Sequence, residues 1–427
     1  MSIISHTGSY YTASANDKQQ RSKLNEHIKA DICVVGSGFT GLSSALHLAE
    51  KGYKVVILEG SRIGFGASGR NGGQLVNSYS RDMDFIEKHY GKHVGTEMGK
   101  MAFEGANIIR RLVHDYQINC DLKPGGIFAA CNNKQLDEMA SKQQLWAQHG
   151  HTNTELLSAS SIQKHIGTDR YVGGLLDNAG GHIHPLNLAL GEAAAFEKLG
   201  GVIYEDSKVT DIVHGKKPVI KTESGSVTAN FVVVAGNAYL EGLLPKQQQK
   251  SMPCGTQIIT TEVLPKDVQQ QLLPTDVCVE DCNYLLDYFR LSADGRLIYG
   301  GGTTYGARDP EQIESIILPK MLKTFPALKK VKIDYAWTGN FLLTLMRLPQ
   351  FGRINDNVYY AQGYSGHGVT STHLAGKVIS DAIAGQAERF DVFAGLPQHP
   401  FPGGRVFRIP YITMGAWYYA MRDKLGI

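Results

Sequence analysis

The segment 31–59 constrains this chain more than any other part of it. Asp31-Ile-Cys-Val-Val35 reads as a strand apolar on both faces, and Gly36-Ser-Gly38-Phe-Thr-Gly41 follows at once. Leu42-Ser-Ser-Ala-Leu-His-Leu-Ala49 then carries a helical pattern that stops at Gly52, and Tyr53–Leu58 makes a second strand ending in Glu59. Each glycine has a physical task in such a unit. Gly36 permits the tight turn, Gly38 lets the backbone approach a diphosphate, and Gly41 lets helix and strand pack closely. The diphosphate sits on the positive end of the helix. Glu59, 21 residues after Gly38, is placed to accept hydrogen bonds from a ribose 2′-hydroxyl and disfavours a 2′-phosphate. A Rossmann-type nucleotide site is therefore expected, and the unit alone does not separate NAD from FAD.

The next segment does separate them. Arg62-Ile-Gly-Phe-Gly-Ala-Ser-Gly-Arg-Asn-Gly-Gly-Gln74 is a long run of small and polar residues where an NAD enzyme would begin another helix. A backbone this rich in glycine can wrap a flat ligand, and Arg70, Asn71 and Gln74 stand among the glycines as hydrogen-bonding groups. The expected alternative is a mobile surface loop.

Further along, Pro185 opens a helix that ends at Gly200-Gly201. Segments 202–205, 208–213, 218–222 and 226–229 suggest a small β-meander, and Phe231-Val-Val-Val-Ala-Gly236 reads as a buried parallel strand. Val358–Gly363 is a last strand that leads through Tyr364-Ser-Gly-His-Gly-Val-Thr370 into a helix. Backbone N–H groups at such a helix start suit the electron-rich edge of a flavin. Tyr284–Leu291 and Arg296–Gly301 look like a hairpin turning at Ser292-Ala-Asp-Gly295, a sheet that could roof the flavin. The fold class expected is α/β: a discontinuous FAD-binding domain (29–88, 159–243, 335–390), an antiparallel-sheet α+β substrate domain (89–158, 244–334) and a C-terminal extension (391–427). The aromatic and basic residues of that extension fit docking on the protein's own surface or a dimer contact better than a membrane interface.

Composition narrows the partners. With 43 Lys+Arg against 40 Asp+Glu the net charge is +3, which leaves no electrostatic footprint for nucleic acid. Six cysteines without a C-x-x-C pair indicate neither a disulfide framework nor a zinc knuckle. His182-Ile-His184 could begin a zinc site but has no third ligand at useful spacing, so no metal is expected. A polar start and the lack of an apolar run of roughly 18 residues point to the cytoplasm, with no membrane span and a small molecule as partner. The sequence leaves the oligomeric state open.

With SYYTASAN, GLSSALHLAE, SRIGFGASGRNGGQLVNSYSRD, GGHIHPLNLALG and GYSGHGV in place, the chain resembles the D-amino-acid oxidase superfamily of FAD-dependent oxidoreductases, which includes sarcosine and glycine oxidases. Taken together these stretches are most similar to bacterial members that act in putrescine breakdown, over almost the whole chain. The resemblance implies oxidation of the free amine of γ-glutamylputrescine to an aldehyde, with FAD as cofactor. It implies FAD contacts at Gly36, Gly38, Thr40, Gly41, Glu59, Arg62, Ser68 and Gln74, and at Gly363, Gly366, His367, Gly368 and Thr370. Asn71, Gly72 and Gly236 join these candidates from the glycine-rich segments themselves. Some relatives attach FAD through a cysteine before the final flavin-binding strand; Tyr335–Phe341 has none, so noncovalent binding is expected. Relatives also carry a lysine that assists reaction with oxygen, where this chain offers Tyr299, which puts oxygen in doubt as the electron acceptor.

The mechanism expected is hydride transfer from the carbon bearing a neutral amine to flavin N5, followed by hydrolysis of the imine. His367 and Tyr299 are the candidate catalytic side chains, although a histidine between glycines also suits anchoring or packing. Arg290 and Arg347 are candidate anchors for the substrate's carboxylate. Two alternatives stay open: a D-amino-acid or other amine dehydrogenase that passes electrons to a carrier, and a flavin-binding module without catalysis.

Overall fold

The computed structural model describes residues 6–240, 242–306 and 309–425. Its centre is a six-stranded sheet in the order Gln350–Asn355, Val358–Gln362, Phe231–Val234, Ile32–Val35, Val55–Leu58, Val202–Tyr204. All neighbours are parallel except the first pair. Because side chains alternate across a strand, Ile32, Val34, Val55 and Ile57 face one way and pack under the helices Phe39–Glu50, Pro185–Lys198 and Gly368–Ile383. Cys33, Val35, Val56 and Leu58 face the other way, onto Ile212, Ile220 and Val227 of a small second sheet. Cover on both faces explains why these strands read as unbroken apolar runs.

The small sheet corrects the expected meander. Asp211–Val213, Val219–Lys221 and Ser226–Thr228 are antiparallel neighbours, but the fourth strand is His27–Lys29, paired in parallel with Ser226–Thr228. Val202–Tyr204 joins the edge of the nucleotide sheet instead, beside Val55–Leu58.

A nine-stranded sheet forms the second layer. Its main path runs Ile333–Thr344, Ser251–Thr261, Leu297–Tyr305, Tyr288–Leu291, Cys278–Asp281, Lys123–Ala130, Gly173–His182, Gln74–Leu75, with Thr154–Ser158 paired beside Gly173–His182. One pair, Cys278–Asp281 with Lys123–Ala130, is parallel and the others are antiparallel. Gly173–His182 and Ile333–Thr344, grouped in sequence with the nucleotide-binding segments, thus pair within this second sheet. The expected hairpin is present, its turn closed by Ser292 N–H donating to the Arg296 carbonyl at 2.9 Å, with Gly295 at φ +86°.

The C-terminal extension is a helix, Gly404–Leu425. Ile409 and Ile412 pack it against Met252, Cys254, Leu343 and Phe401, and Tyr419 stacks on Tyr284 with ring centroids 4.6 Å apart. One face of the helix is therefore docked on the protein, while Trp417 on the outer side is 77% exposed.

Candidate active site

A cavity of about 760 Å³ lies between the two large sheets. It opens at Val35, Leu58 and Ala235, at the carboxyl ends of the central parallel strands, where an open α/β sheet places its ligands. Gly36, at φ +101°, turns the chain from strand into helix. A side chain on Gly41 would put its Cβ 1.9 Å from the Gly36 carbonyl oxygen, so this position serves helix–strand packing and does not line the cavity.

Two helices aim their N-termini at this space. Phe39–Glu50 starts at Gly38 and Gly368–Ile383 at His367, and neither of these two residues supplies a side-chain cap, although Ser68 takes the Phe39 N–H. The remaining N–H groups of each first turn are left for an acceptor, at the positive end of each helix dipole. The 62–74 loop is tied down rather than mobile. Ser68 Oγ accepts from Phe39 N–H at 2.9 Å, Arg70 Nε donates to the Phe65 carbonyl at 2.7 Å, and Asn71 Oδ1 accepts from Gly73 N–H at 2.7 Å. Glu59 is half-buried at the strand end, one carboxylate oxygen accepting from the Ser37 N–H and hydroxyl and the other from the Ser61 N–H. Burial raises its pKa and the Ser37 hydrogen bonds oppose that rise.

Of the residues singled out in sequence, Gly36, Gly38, Thr40, Glu59, Ser68, Asn71, Gly72, Gln74, Gly236, Gly366, His367, Gly368 and Arg347 line the cavity. Several others do not. Arg62 turns outward to Asp206 at 2.7 Å. Gly363 donates its N–H to Asn237 Oδ1, and the Thr370 hydroxyl donates to the Val76 carbonyl at 2.6 Å, so both brace the wall from behind. Arg290 spends its donors on the Gly72 and Leu291 carbonyls and the Tyr11 hydroxyl, which makes it an anchor of the loop rather than of a substrate. Tyr299 lies on the far face of its strand with Phe289 and Met321, bonded to Asp287 and Thr324, and is not a cavity residue. The His182–His184 pair is also engaged elsewhere: His184 Nδ1 accepts from Asn187 N–H at 3.1 Å at a helix start, and His182 Nε2 meets the Asp276 carbonyl at 2.8 Å. Among the described residues no group of three or more His, Cys, Asp or Glu side chains could hold a metal.

The hairpin expected to roof the flavin does supply cavity residues, but sequence reasoning singled out none of the side chains of this wall except Arg347. Glu280, Tyr284, Tyr288, Thr256 and Phe341 come from the nine-stranded sheet and its connections. Arg347, at φ +60°, holds a left-handed conformation and donates to the Tyr284 hydroxyl at 2.7 Å. Nearby, Lys142 forms a half-buried ion pair with Asp82, which also accepts from Trp146 Nε1 and the Ser78 hydroxyl, each at 2.8 Å. Burial, aided by Lys142, lowers His367 to about 4, so its imidazole is neutral, and among the described residues its Nδ1 has no hydrogen-bond partner. Burial raises Glu280 to about 7 although Lys142 pulls the other way. One cavity thus combines two anion-ready helix ends, a neutral imidazole, a carboxylate that titrates near neutrality and a guanidinium.

These features define a flavin-dependent oxidoreductase, and the chain belongs to the FAD dependent oxidoreductase (DAO) family, whose profile matches residues 31–382. It is 60% identical over 426 residues, the full length of both chains, to the gamma-glutamylputrescine oxidoreductase of Escherichia coli strain K12. It is 40% identical to a probable oxidoreductase, OrdL, of Haemophilus influenzae, over 98% of each chain. Among solved structures, glycine oxidase from Geobacillus kaustophilus superposes with a TM-score of 0.72 at 20% identity, covering 84% of this chain and 95% of that one. L-proline dehydrogenase from P. horikoshii gives 0.70 at 18%, covering 94% and 99%. The cofactor is FAD, and the donor set fits it. The helix starts at Gly38 and His367 suit phosphate oxygens and the flavin's electron-rich edge, Glu59 suits a ribose, and the space beside the Gly366 Cα is open.

Proposed function

We propose that this enzyme oxidises the primary amine of γ-glutamylputrescine, releasing the γ-glutamylaminobutyraldehyde and ammonia, in putrescine breakdown. The observation that carries the reading is the pairing of charges in one cavity: Glu280 and Arg347 face it together with Tyr284, Tyr288 and Phe341. A substrate with an ammonium at one end, a methylene chain between and a carboxylate at the other matches that lining. The full-length likeness to the Escherichia coli enzyme supports the same substrate.

In this reading FAD binds noncovalently. Glu59 holds the adenosine ribose; Gly36, Gly38, Thr40 and Ser68 take the diphosphate; Asn71, Gly72, Gln74 and Gly236 line its path; and Gly366, His367 and Gly368 meet the flavin. When bound, FAD supplies the two-electron acceptor for a hydride from the carbon that bears the nitrogen. The protein's part is to orient that carbon, exclude water from it and present the nitrogen without its extra proton. Neutral His367 adds no positive charge beside the amine. Arg347 takes the γ-glutamyl carboxylate.

The test is product analysis. FAD-loaded enzyme supplied with γ-glutamylputrescine and a dye acceptor should yield one aldehyde, trapped as its hydrazone, and one ammonium for each dye reduced. Efficient conversion of D-alanine to pyruvate, with γ-glutamylputrescine untouched, would replace this reading with that of an amino-acid dehydrogenase.

A further inference from the structure

The strand Cys278–Asp281 crosses the middle of the nine-stranded sheet, between Tyr288–Leu291 and Lys123–Ala130. Side-chain alternation divides its residues. Val279 enters the apolar cluster behind the sheet with Phe289 and Ile127. Asp281, two residues on and on the same side of the strand, meets the Arg170 guanidinium at 3.0 Å, which also meets Asp287 at 3.3 Å. Glu280 alone of the three faces the large cavity, beside its cross-strand partner Tyr288.

Glu280 is unusual among the chain's enclosed acids. Glu59, Asp82, Asp177, Glu205, Asp281 and Asp287 all accept hydrogen bonds from protein donors. Among the described residues the Glu280 carboxylate has no such donor; the nearest cation that influences it, Lys142, is held by Asp82. An enclosed carboxylate without a partner is costly, and a cavity lined by aromatic rings does not lower that cost. A cationic ligand does.

We propose that Glu280 is the amine-binding group of the substrate site: its carboxylate receives the substrate's ammonium and takes one proton from it before oxidation. The inference rests on the amine-oxidase reading above. The step balances as R–CH2–NH3⁺ with a carboxylate giving R–CH2–NH2 with a carboxylic acid. The nitrogen lone pair so freed supports loss of hydride from its own carbon, leaving R–CH=NH2⁺ for water to hydrolyse. An acid that titrates near 7 suits this transfer, because it is ionised when the ammonium arrives and can hold the proton afterwards. The other titratable groups around it leave the role free. Lys142 is bound to Asp82 and Asp281 to Arg170; burial keeps the Cys278 and Cys282 thiols and the Tyr288 phenol protonated; His367 is neutral.

The test uses FAD-loaded enzyme and two unreactive ligands read by perturbation of the flavin spectrum. One is a γ-glutamyl amide whose amine-bearing carbon carries two methyl groups and no hydrogen, a cation that cannot be oxidised. The other is γ-glutamylbutylamide, of similar length but without the amine. Wild type should prefer the cation by tenfold or more at pH 8, with the preference appearing as pH rises through about 7. Glu280→Gln should lose both the preference and its pH dependence. If Glu280→Gln does not retain FAD, wild type alone decides, because a preference that is flat from pH 6 to 9 overturns the proposal. Retention of the full preference by Glu280→Gln also overturns it. If wild type is not reduced by γ-glutamylputrescine at all, the substrate assignment fails first, a result distinct from either.

Discussion

The hydroxyls of Thr40 and Tyr364 meet at 2.7 Å in the buried interior, 324 residues apart in sequence. Thr40 belongs to the helix that follows the first glycine turn, and Tyr364 opens the last one. The bond thus joins the two helix starts that face the cavity. Tyr364→Phe strands the Thr40 hydroxyl in the interior, and a buried hydroxyl without a partner costs about 1–3 kcal/mol. Denaturant unfolding should register that loss, and FAD should dissociate faster in the same variant. Unchanged FAD release would separate this bond from cofactor binding.

Glu59 should set cofactor affinity rather than chemistry. Glu59→Ala removes the acceptor for the Ser37 and Ser61 donors and the proposed ribose contact. The expected weakening is about tenfold or more in FAD dissociation constant, on the order of 1.5–3 kcal/mol for hydrogen bonds to a charged group. Flavin fluorescence on dilution measures it. Reduction of the fraction still loaded should proceed at the wild-type rate.

Tyr299 gives the opposite pattern. Its hydroxyl bonds Asp287 and Thr324 in a buried network with Arg170 and Lys320, away from the cavity. Tyr299→Phe should destabilise the protein by about 1–2 kcal/mol and leave the rate of flavin reduction within about twofold. A large loss of reduction rate without loss of stability would restore a catalytic role.

Glu280 predicts a pH-dependent stability with a definite sign. Its pKa is raised from 4.5 to about 7 in the folded protein. Its stabilising contribution is therefore present below about pH 4.5 and is lost as pH rises through about 7. Glu280→Gln escapes that loss, so ligand-free enzyme carrying it should gain on wild type between pH 5 and pH 8. The gain should not exceed about 3 kcal/mol, since water in the cavity screens the charge. Parallel stability curves for the two proteins over this range would contradict the assignment.

What was legible in the sequence follows the range of the interactions involved. The strand, turn and helix from Ile32 to Glu50 are written in local periodicity and glycine chemistry, and the structure reproduces them within a few residues. Strand pairing is a long-range matter. Nothing local tells Val202 that its partner is Val56 rather than the next strand along. Which side chains face the cavity depends on register, where one residue decides the face. Tyr288 pairs with Glu280 and looks into the cavity, while Phe289 pairs with Tyr299 and looks away. The sequence signal for Glu280 existed, an acid at the end of Val277-Cys-Val, but its meaning depends on Phe128 of a strand 152 positions earlier. Arg290 was misread for a different reason. Its face is compatible with the cavity, yet the Gly72 carbonyl takes its guanidinium first.

The substrate of this enzyme is read most directly by an anaerobic spectral titration of the FAD-loaded protein with γ-glutamylputrescine, putrescine, sarcosine and D-alanine in separate cells. Fast bleaching of the flavin band by γ-glutamylputrescine is expected, with the other three slower by tenfold or more. Equal or faster bleaching by sarcosine or D-alanine, with none by γ-glutamylputrescine, would contradict the proposed substrate.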